Sequence, residues 1–204
     1  MAISLAAIVL AGGQSSRMGR DKALISIQGV PLLQRTCEVA LQCTAAVYVV
    51  TSRTEQYRAV VPDGCCLVQE HPLPGEMLPH GPLVGFAQGL AHTHTEWVLL
   101  LACDLPLLRA DVLRSWMWKL DQAGSEIALL PKTESGWEPL CGFYRASCLP
   151  SLSDFIDQGG RSLQRWLSQV NVNAIAFSSS PDEHSRDRDM LFNCNTPEDL
   201  RLLL

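Results

Sequence analysis

Apolar runs of strand length alternate along this chain with stretches whose apolar residues recur at helical spacing. SLAAIVL at 4–10 is unbroken and apolar and reads as a buried first strand. PLLQRTCEVALQC at 31–43 places Leu32, Leu33, Cys37, Val39, Ala40 and Leu41 behind Pro31, which suits a helix. AAVYVVT at 45–51 reads as the next strand, and GPLVGFAQGLAHT at 81–93 as a helix behind a Pro/Gly-rich loop. WVLLLACD at 97–104 is the clearest buried strand, because it is apolar on both faces. A helix through DVLRSWMWKLDQA at 111–123 and a strand EIALLP at 126–131 continue the alternation. The pattern predicts an α/β fold with a mostly parallel sheet.

Beyond position 135 the rhythm changes. WEPLCGFYR at 137–145 reads as extended, followed by helical stretches near 148–157 and 161–169 and a strand VNAIAF at 172–177. SSSPDEHSRDRD at 178–189 is polar and charged and reads as an exposed loop. TPEDLRLLL closes as a helix: Thr196 suits the cap, Pro197 the first helical position, and Glu198 and Asp199 the positive end of the helix dipole.

Composition narrows the class. The chain has 204 residues, 47% apolar and 18% charged, enough for one well-filled domain. A net charge of −5 argues against a broad attraction to nucleic acid, so any phosphate binding must come from a local site. The eight cysteines form no CxxC pair and have no matching histidine cluster, which points to reduced, structural thiols and a cytoplasmic protein. The adjacent Cys65–Cys66 pair reads as part of a turn. MAISLAAIVLAGG lacks the basic start of a signal peptide, and no stretch reaches the roughly eighteen apolar residues of a membrane span.

Three segments carry candidate chemistry. LAGGQSSRMGRDK at 10–22 empties a buried strand into a small, basic loop. It is not a P-loop, since Gly19 is followed by Arg20-Asp21-Lys22. It is not a dinucleotide fingerprint either, since Gly12 and Gly13 are adjacent and the next glycine is Gly19. What remains is a looser pattern in which glycines admit phosphate oxygens to backbone N–H groups while Arg17 and Lys22 neutralise them. A solvated surface loop is the alternative, against which stands the position after a strand, where open α/β sheets place their ligands.

In CDLP at 103–106, Asp104 ends the most apolar strand of the chain. It is placed either to hold Mg²⁺, which takes oxygen ligands and arrives with substrate phosphates, or to cap the turn before the next helix. In NCNTPEDL at 193–200, Asn193 and Asn195 alternate as on a short strand, so they would point the same way, with capping as their default duty and metal or phosphate contact as the alternative. The histidines have no metal-ligand spacing, and ASC at 146–148 is no nucleophile elbow.

Together the basic loop, GPLVG at 81–85, CDLP and NCNTPEDL resemble the molybdenum cofactor guanylyltransferases, within the wider nucleotide-diphospho-sugar transferase fold. The loop is similar to the signature LAGG-x-S-x-RMG-x-DK at every fixed position. The resemblance implies a three-layer α/β/α, Rossmann-like nucleotidyltransferase domain over 1–204, with a nucleotide-binding part at about 1–110 and an acceptor-binding part at about 111–204. It implies transfer of GMP from GTP to molybdopterin with release of pyrophosphate. Leu10, Ala11, Gly12, Gly13 and Gly81 would contact the nucleotide, Arg17 the triphosphate and Lys22 the α-phosphate. Asp104 would hold Mg²⁺, assisted by Asn195. At the family's acidic nucleotide contact this sequence has His71; either that position serves, or Glu70 takes the role by a one-residue shift, or the contact is lost. GGRSLQRW at 159–166 offers Arg161 and Arg165 to an anionic acceptor, with a solvated helix start as the alternative. GTP, molybdopterin, other cofactor-biosynthesis proteins and apo-molybdoenzymes would be the partners. A CTP-dependent or sugar-phosphate nucleotidyltransferase, or a non-catalytic carrier, are the competing functions.

Overall fold

Two of the apolar runs lie side by side in the middle of one sheet. In this computed structural model, which describes residues 3–12, 21–77, 81–134, 136–177 and 187–202, β1 (Leu5–Leu10) pairs in parallel with β6 (Trp97–Ala102) from Leu5↔Trp97 to Leu10↔Ala102. The other strands are β2 (Ser26–Ile27), β3 (Val30–Pro31), β4 (Val47–Thr51), β5 (Cys65–Gln69), β7 (Ala128–Thr133), β8 (Gly136–Trp137), β9 (Cys141–Arg145) and β10 (Val172–Ile175). The main sheet runs β10-β7-β9-β6-β1-β4-β5, with β8 joined to β7. β9 is antiparallel to β6 and β7, while β4, β5 and β10 pair in parallel with their neighbours. Every residue of β6 is buried, which is why its sequence shows no alternation.

The helices are α1 (Leu32–Leu41), α2 (Thr54–Tyr57), α3 (Gly81–Leu90), α4 (Ala110–Met117), α5 (Leu149–Asp157), α6 (Leu163–Leu167) and α7 (Pro197–Arg201). α1 and α4 cover one face of the sheet, packing Leu33, Cys37, Leu113 and Trp116 against Ala7, Val9 and Leu99. α3, α5 and α6 cover the other, packing Phe86, Leu152 and Trp166 against Ile8, Leu100 and Tyr144. The result is three α/β/α layers, as the alternation and the resemblance led us to expect. α3 lies close on the sheet because Gly89 lets it: an added Cβ would come within 2.9 Å of Val50 Cγ2 and 3.0 Å of Ile8 Cδ1. That approach brings the first turn of α3 to the carboxyl ends of β1 and β4.

Some local expectations are corrected. Cys65 and Cys66 are not in a turn but open β5, an edge strand whose half-exposed residues leave little apolar pattern to read. Asn193 and Asn195 are not on a strand, because Cys194 donates its N–H to the Asp104 carbonyl (2.9 Å) rather than to a ladder. The helix expected over 111–123 ends as α4 at Met117 and resumes as a single 3₁₀ turn at Leu120–Gln122. The C-terminal helix has the expected cap: Thr196 Oγ1 accepts from the Asp199 N–H, and the Asp199 carboxylate accepts from the N–H of Thr196 in return. All eight cysteines are free thiols. Among the described residues no helix is long and apolar enough to cross a membrane. Gly13, Arg17, His80 and the polar stretch 178–186 lie outside the described residues.

Candidate active site

The parallel strands β1, β4, β5 and β6 all end on one edge of the sheet, and the chain that follows each of them turns around a cavity of about 300 Å³. Leu10, Gly12, Lys22, Glu70, Gly81 and Asp104 are among the residues that line it. This is the crevice outside the strand ends where open α/β sheets take ligands.

Lys22 and Asp104 meet across the cavity. Lys22 Nζ lies 3.7 Å from Asp104 Oδ2 and donates a short hydrogen bond to Asn195 Oδ1. Three segments far apart in sequence therefore converge: the return of the glycine loop, the end of β6, and the C-terminal motif. The motif is fixed there by its backbone. Cys194 bonds to the Asp104 carbonyl, and Asn195 donates its N–H to Asp199 Oδ2 (2.8 Å). The bonds from the Asn195 and Thr196 backbone hold the Asp199 carboxyl below its usual range. Burial pushes the Asp104 carboxyl above the usual range, and the Lys22 charge offsets part of that. Asp104 Oδ1 is shielded from solvent and has no hydrogen-bond partner. An unsatisfied buried carboxylate oxygen is costly, and its residue lines the cavity. Among the described residues, no three His, Cys, Asp or Glu side chains converge to make a metal cage.

A second carboxylate stands on the opposite wall. Glu70 follows β5, its N–H bonded to the Thr51 carbonyl (2.8 Å), and the residue is only 7% exposed. Its two carboxylate oxygens pack against two glycines. A Cβ at Gly12 would stand 3.1 Å from Oε2, and one at Gly85 would stand 3.2 Å from Oε1. Burial raises the Glu70 carboxyl above its usual range. His71, one residue on, is exposed and faces α3, exchanging two backbone hydrogen bonds with the Gln88 amide (2.9 and 2.8 Å).

The structure thus brings Leu10, Gly12, Lys22, Gly81 and Asp104 to one cavity and joins Asn195 to them through Lys22. Ala11 is fully buried behind the wall, its N–H on the Val50 carbonyl (3.0 Å). His71 is not among the lining residues; Glu70 is. Asn193 is exposed and bonds locally to the Leu191 carbonyl. Arg161 donates to the Ile156 and Gly160 carbonyls (2.9 and 2.7 Å) and pairs with Glu76 (3.1 Å), while Arg165 is exposed. Asp21, Arg53 and Tyr57 also line the cavity, and the sequence alone assigns them no role. Asp21 was visible beside Lys22 in the loop motif, but its two partners carry no local signal.

With this geometry in hand, the comparisons with known proteins are specific. A family model described as the MobA-like NTP transferase domain matches residues 7–172. A probable molybdenum cofactor guanylyltransferase of Nostoc sp. is 53% identical over 201 residues, covering 98% of this chain and 90% of that protein. One from Synechococcus elongatus is 38% identical over 202 residues, covering 98% of both. The solved structure of molybdopterin-guanine dinucleotide biosynthesis protein A from Archaeoglobus fulgidus superposes with a TM-score of 0.75 at 24% identity. It covers 97% of this chain and 95% of that one, a likeness of fold.

Proposed function

Because the chain belongs to the MobA-like NTP transferase family, we propose that it transfers GMP from GTP to molybdopterin and releases pyrophosphate. The observation that carries the reading is the convergence of Lys22, Asp104 and Asn195 at the end of the central strands, opposite the buried Glu70. The acceptor's phosphate oxygen attacks the α-phosphorus of GTP, and the bond from that phosphorus to the α,β-bridging oxygen breaks. Negative charge builds on the bridging and leaving oxygens, so positioning and cations matter more than a protein nucleophile. The Lys22 ammonium is placed to follow the α-phosphate, with Arg17 assigned to the triphosphate by the motif. Leu10, Ala11, Gly12, Gly13 and Gly81 are assigned to the nucleotide, which occupies the half of the chain up to about residue 110.

The residues fit Mg²⁺. Asp104 offers a buried oxygen without a partner, Asn195 an amide oxygen, and such ions commonly use one or two carboxylates plus substrate phosphates and water. Bound there, the ion would neutralise phosphate charge.

Glu70 is the residue we assign to the base. Guanine presents an N–H and an adjacent amino group, two donors that one carboxylate accepts together, and uracil and adenine lack that pair. Gly12 and Gly85 leave room for both oxygens, where a Cβ would crowd them at 3.1 and 3.2 Å. His71 is not among the lining residues, so we assign the acidic contact to the preceding residue. The acceptor falls to the half beyond residue 110, and the reaction, with hand-over to other cofactor-biosynthesis proteins and apo-molybdoenzymes, to the cytoplasm.

The test is product formation from purified molybdopterin and GTP with Mg²⁺. Pyrophosphate and the guanine dinucleotide should appear together and should vanish in Asp104→Ala. Nucleotide binding without product at any acceptor concentration would point to a carrier instead.

A further inference from the structure

The consecutive residues Asp21 and Lys22 reach in different directions. Lys22 reaches Asp104 and Asn195, whereas Asp21 turns to the segment after β4. There the Tyr57 hydroxyl lies 2.9 Å from Asp21 Oδ1 and 2.8 Å from Oδ2, and Arg53 Nη1 lies 2.6 Å from Oδ2. Asp21 Oδ1 also accepts the Ala23 N–H at 3.1 Å, capping the 3₁₀ turn Lys22–Leu24 of which Lys22 is the first residue. Four contacts therefore hold the carboxylate that precedes the reactive lysine.

The partners are themselves tied to the sheet. Tyr57 is 1% exposed, and its ring belongs to the core under α1 and α4. Arg53 donates its backbone N–H to Thr51 Oγ1 (3.0 Å), and Thr51 ends β4 fully buried. The Arg53 guanidinium is held in its charged form by the bond to Asp21, and burial raises the Tyr57 phenol. The hydroxyl therefore stays a donor and the guanidinium a cation at any working pH.

We propose that Tyr57 and Arg53 are positioning residues for Lys22, acting through the carboxylate of Asp21; this rests on the GMP-transfer reading above. A lysine side chain has four rotatable bonds and a compact charge, so its aim depends on where its backbone is held. An incoming phosphate competes for the ammonium that now meets Asn195 and Asp104. As those contacts are exchanged for substrate, the clamp on Asp21 continues to fix the backbone from which the ammonium is delivered. Displacement of a catalytic group by about 1 Å can cost about 10²-fold in rate.

The experiment pairs kinetics with a readout that needs no reaction. Tyr57→Phe keeps the buried ring and removes the hydroxyl. It should lower kcat roughly tenfold while KM for GTP moves less than about threefold. Placed on Lys22→Ala, the same substitution should lower the residual rate no further, because the two act as one unit. In ¹⁵N-edited spectra of the lysine ammonium groups, the Lys22 signal should shift or broaden while those of Lys119 and Lys132 stay in place. Arg53→Gln should reproduce both effects, which guards against a folding defect in one variant. Unchanged kcat in both single variants, or an equal loss on Lys22→Ala, overturns the proposal. Should the wild type not transfer GMP, the functional reading falls by itself, and an unmoved Lys22 signal then overturns the clamp separately.

Discussion

The two halves of the sheet use their charges in opposite ways. Around β1, β4, β5 and β6, Lys22, Asp104 and Glu70 line one cavity, Lys22 and Asp104 meeting across it and Glu70 packed against two glycines. Around β7, β9 and β10, comparable charges are committed to the protein itself. Arg145 is bonded to the carbonyls of Ala123, Gly124 and Glu126, pairs with Glu96 (2.7 Å) and lies 4.4 Å over the Trp97 ring. Arg161 holds the end of α5 and reaches Glu76 in the loop after β5. Lys132 sits 5.1 Å over the Trp137 ring. A cation is a sign of ligand binding where its neighbours leave it directed at a cavity, and a sign of loop closure where carbonyls and rings already occupy it.

The largest expected effect is on the open side. Lys22→Ala should lower kcat for pyrophosphate release by about 10²–10³-fold, with a melting temperature close to that of the wild type. Steady-state rates beside a thermal melt check this; a loss of stability matching the loss of rate would erase the contrast between the halves.

Glu70→Gln comes next. One of the two acceptor oxygens becomes a donor, so kcat/KM for GTP should fall by about 10–100-fold, and far less for nucleotides without guanine's donor pair. The same substitution should stabilise the ligand-free protein. A buried carboxyl with a raised pKa weakens the fold as it ionises, so stability falls as pH rises from the unfolded carboxylate value of about 4 through the raised native one. Asp104, raised as well by burial, adds to the same slope. Urea titrations between pH 4 and pH 8 should show the stability gap between Glu70→Gln and the wild type widening as pH rises.

Arg161→Ala sharpens the comparison from the other side. It should cost about 1–2 kcal/mol of stability through lost bonds to the Ile156 and Gly160 carbonyls, with kcat changed by less than about threefold. A large rise in KM for molybdopterin with unchanged stability would instead make Arg161 an acceptor ligand.

How much of this could be read in the sequence follows the same division. The alternation of buried runs with helical spacing was enough for the layers and for most elements, because β1 and β6 are apolar throughout, β4 nearly so, and α1, α3 and α4 bury one side. The edge strand β5 and the four-residue α2 were illegible, since neither buries enough to leave a pattern. In the site, Lys22 and Asp104 were legible because each lies at the end of a motif. Asn195 followed from the resemblance, while the strand expected around it is absent; backbone bonds from Cys194 to Asp104 and from Asn195 to Asp199 place it. Tyr57 and Arg53 were invisible, because their role depends on the distance from the β4–α2 segment to Asp21, and no local spacing records that. Which of Glu70 and His71 lines the cavity needed the structure for the same reason: adjacent residues carry no local signal of it, and only Glu70 is among the lining residues.

The most direct measurement offers GTP, CTP, ATP and UTP together at equal concentration with molybdopterin and Mg²⁺, and weighs the dinucleotide products by mass. The guanine product should dominate with the wild type, should lose its dominance with Glu70→Gln, and all products should fall by about 10²–10³-fold with Lys22→Ala. A cytosine product from the wild type, or a guanine preference untouched by Glu70→Gln, would contradict the account.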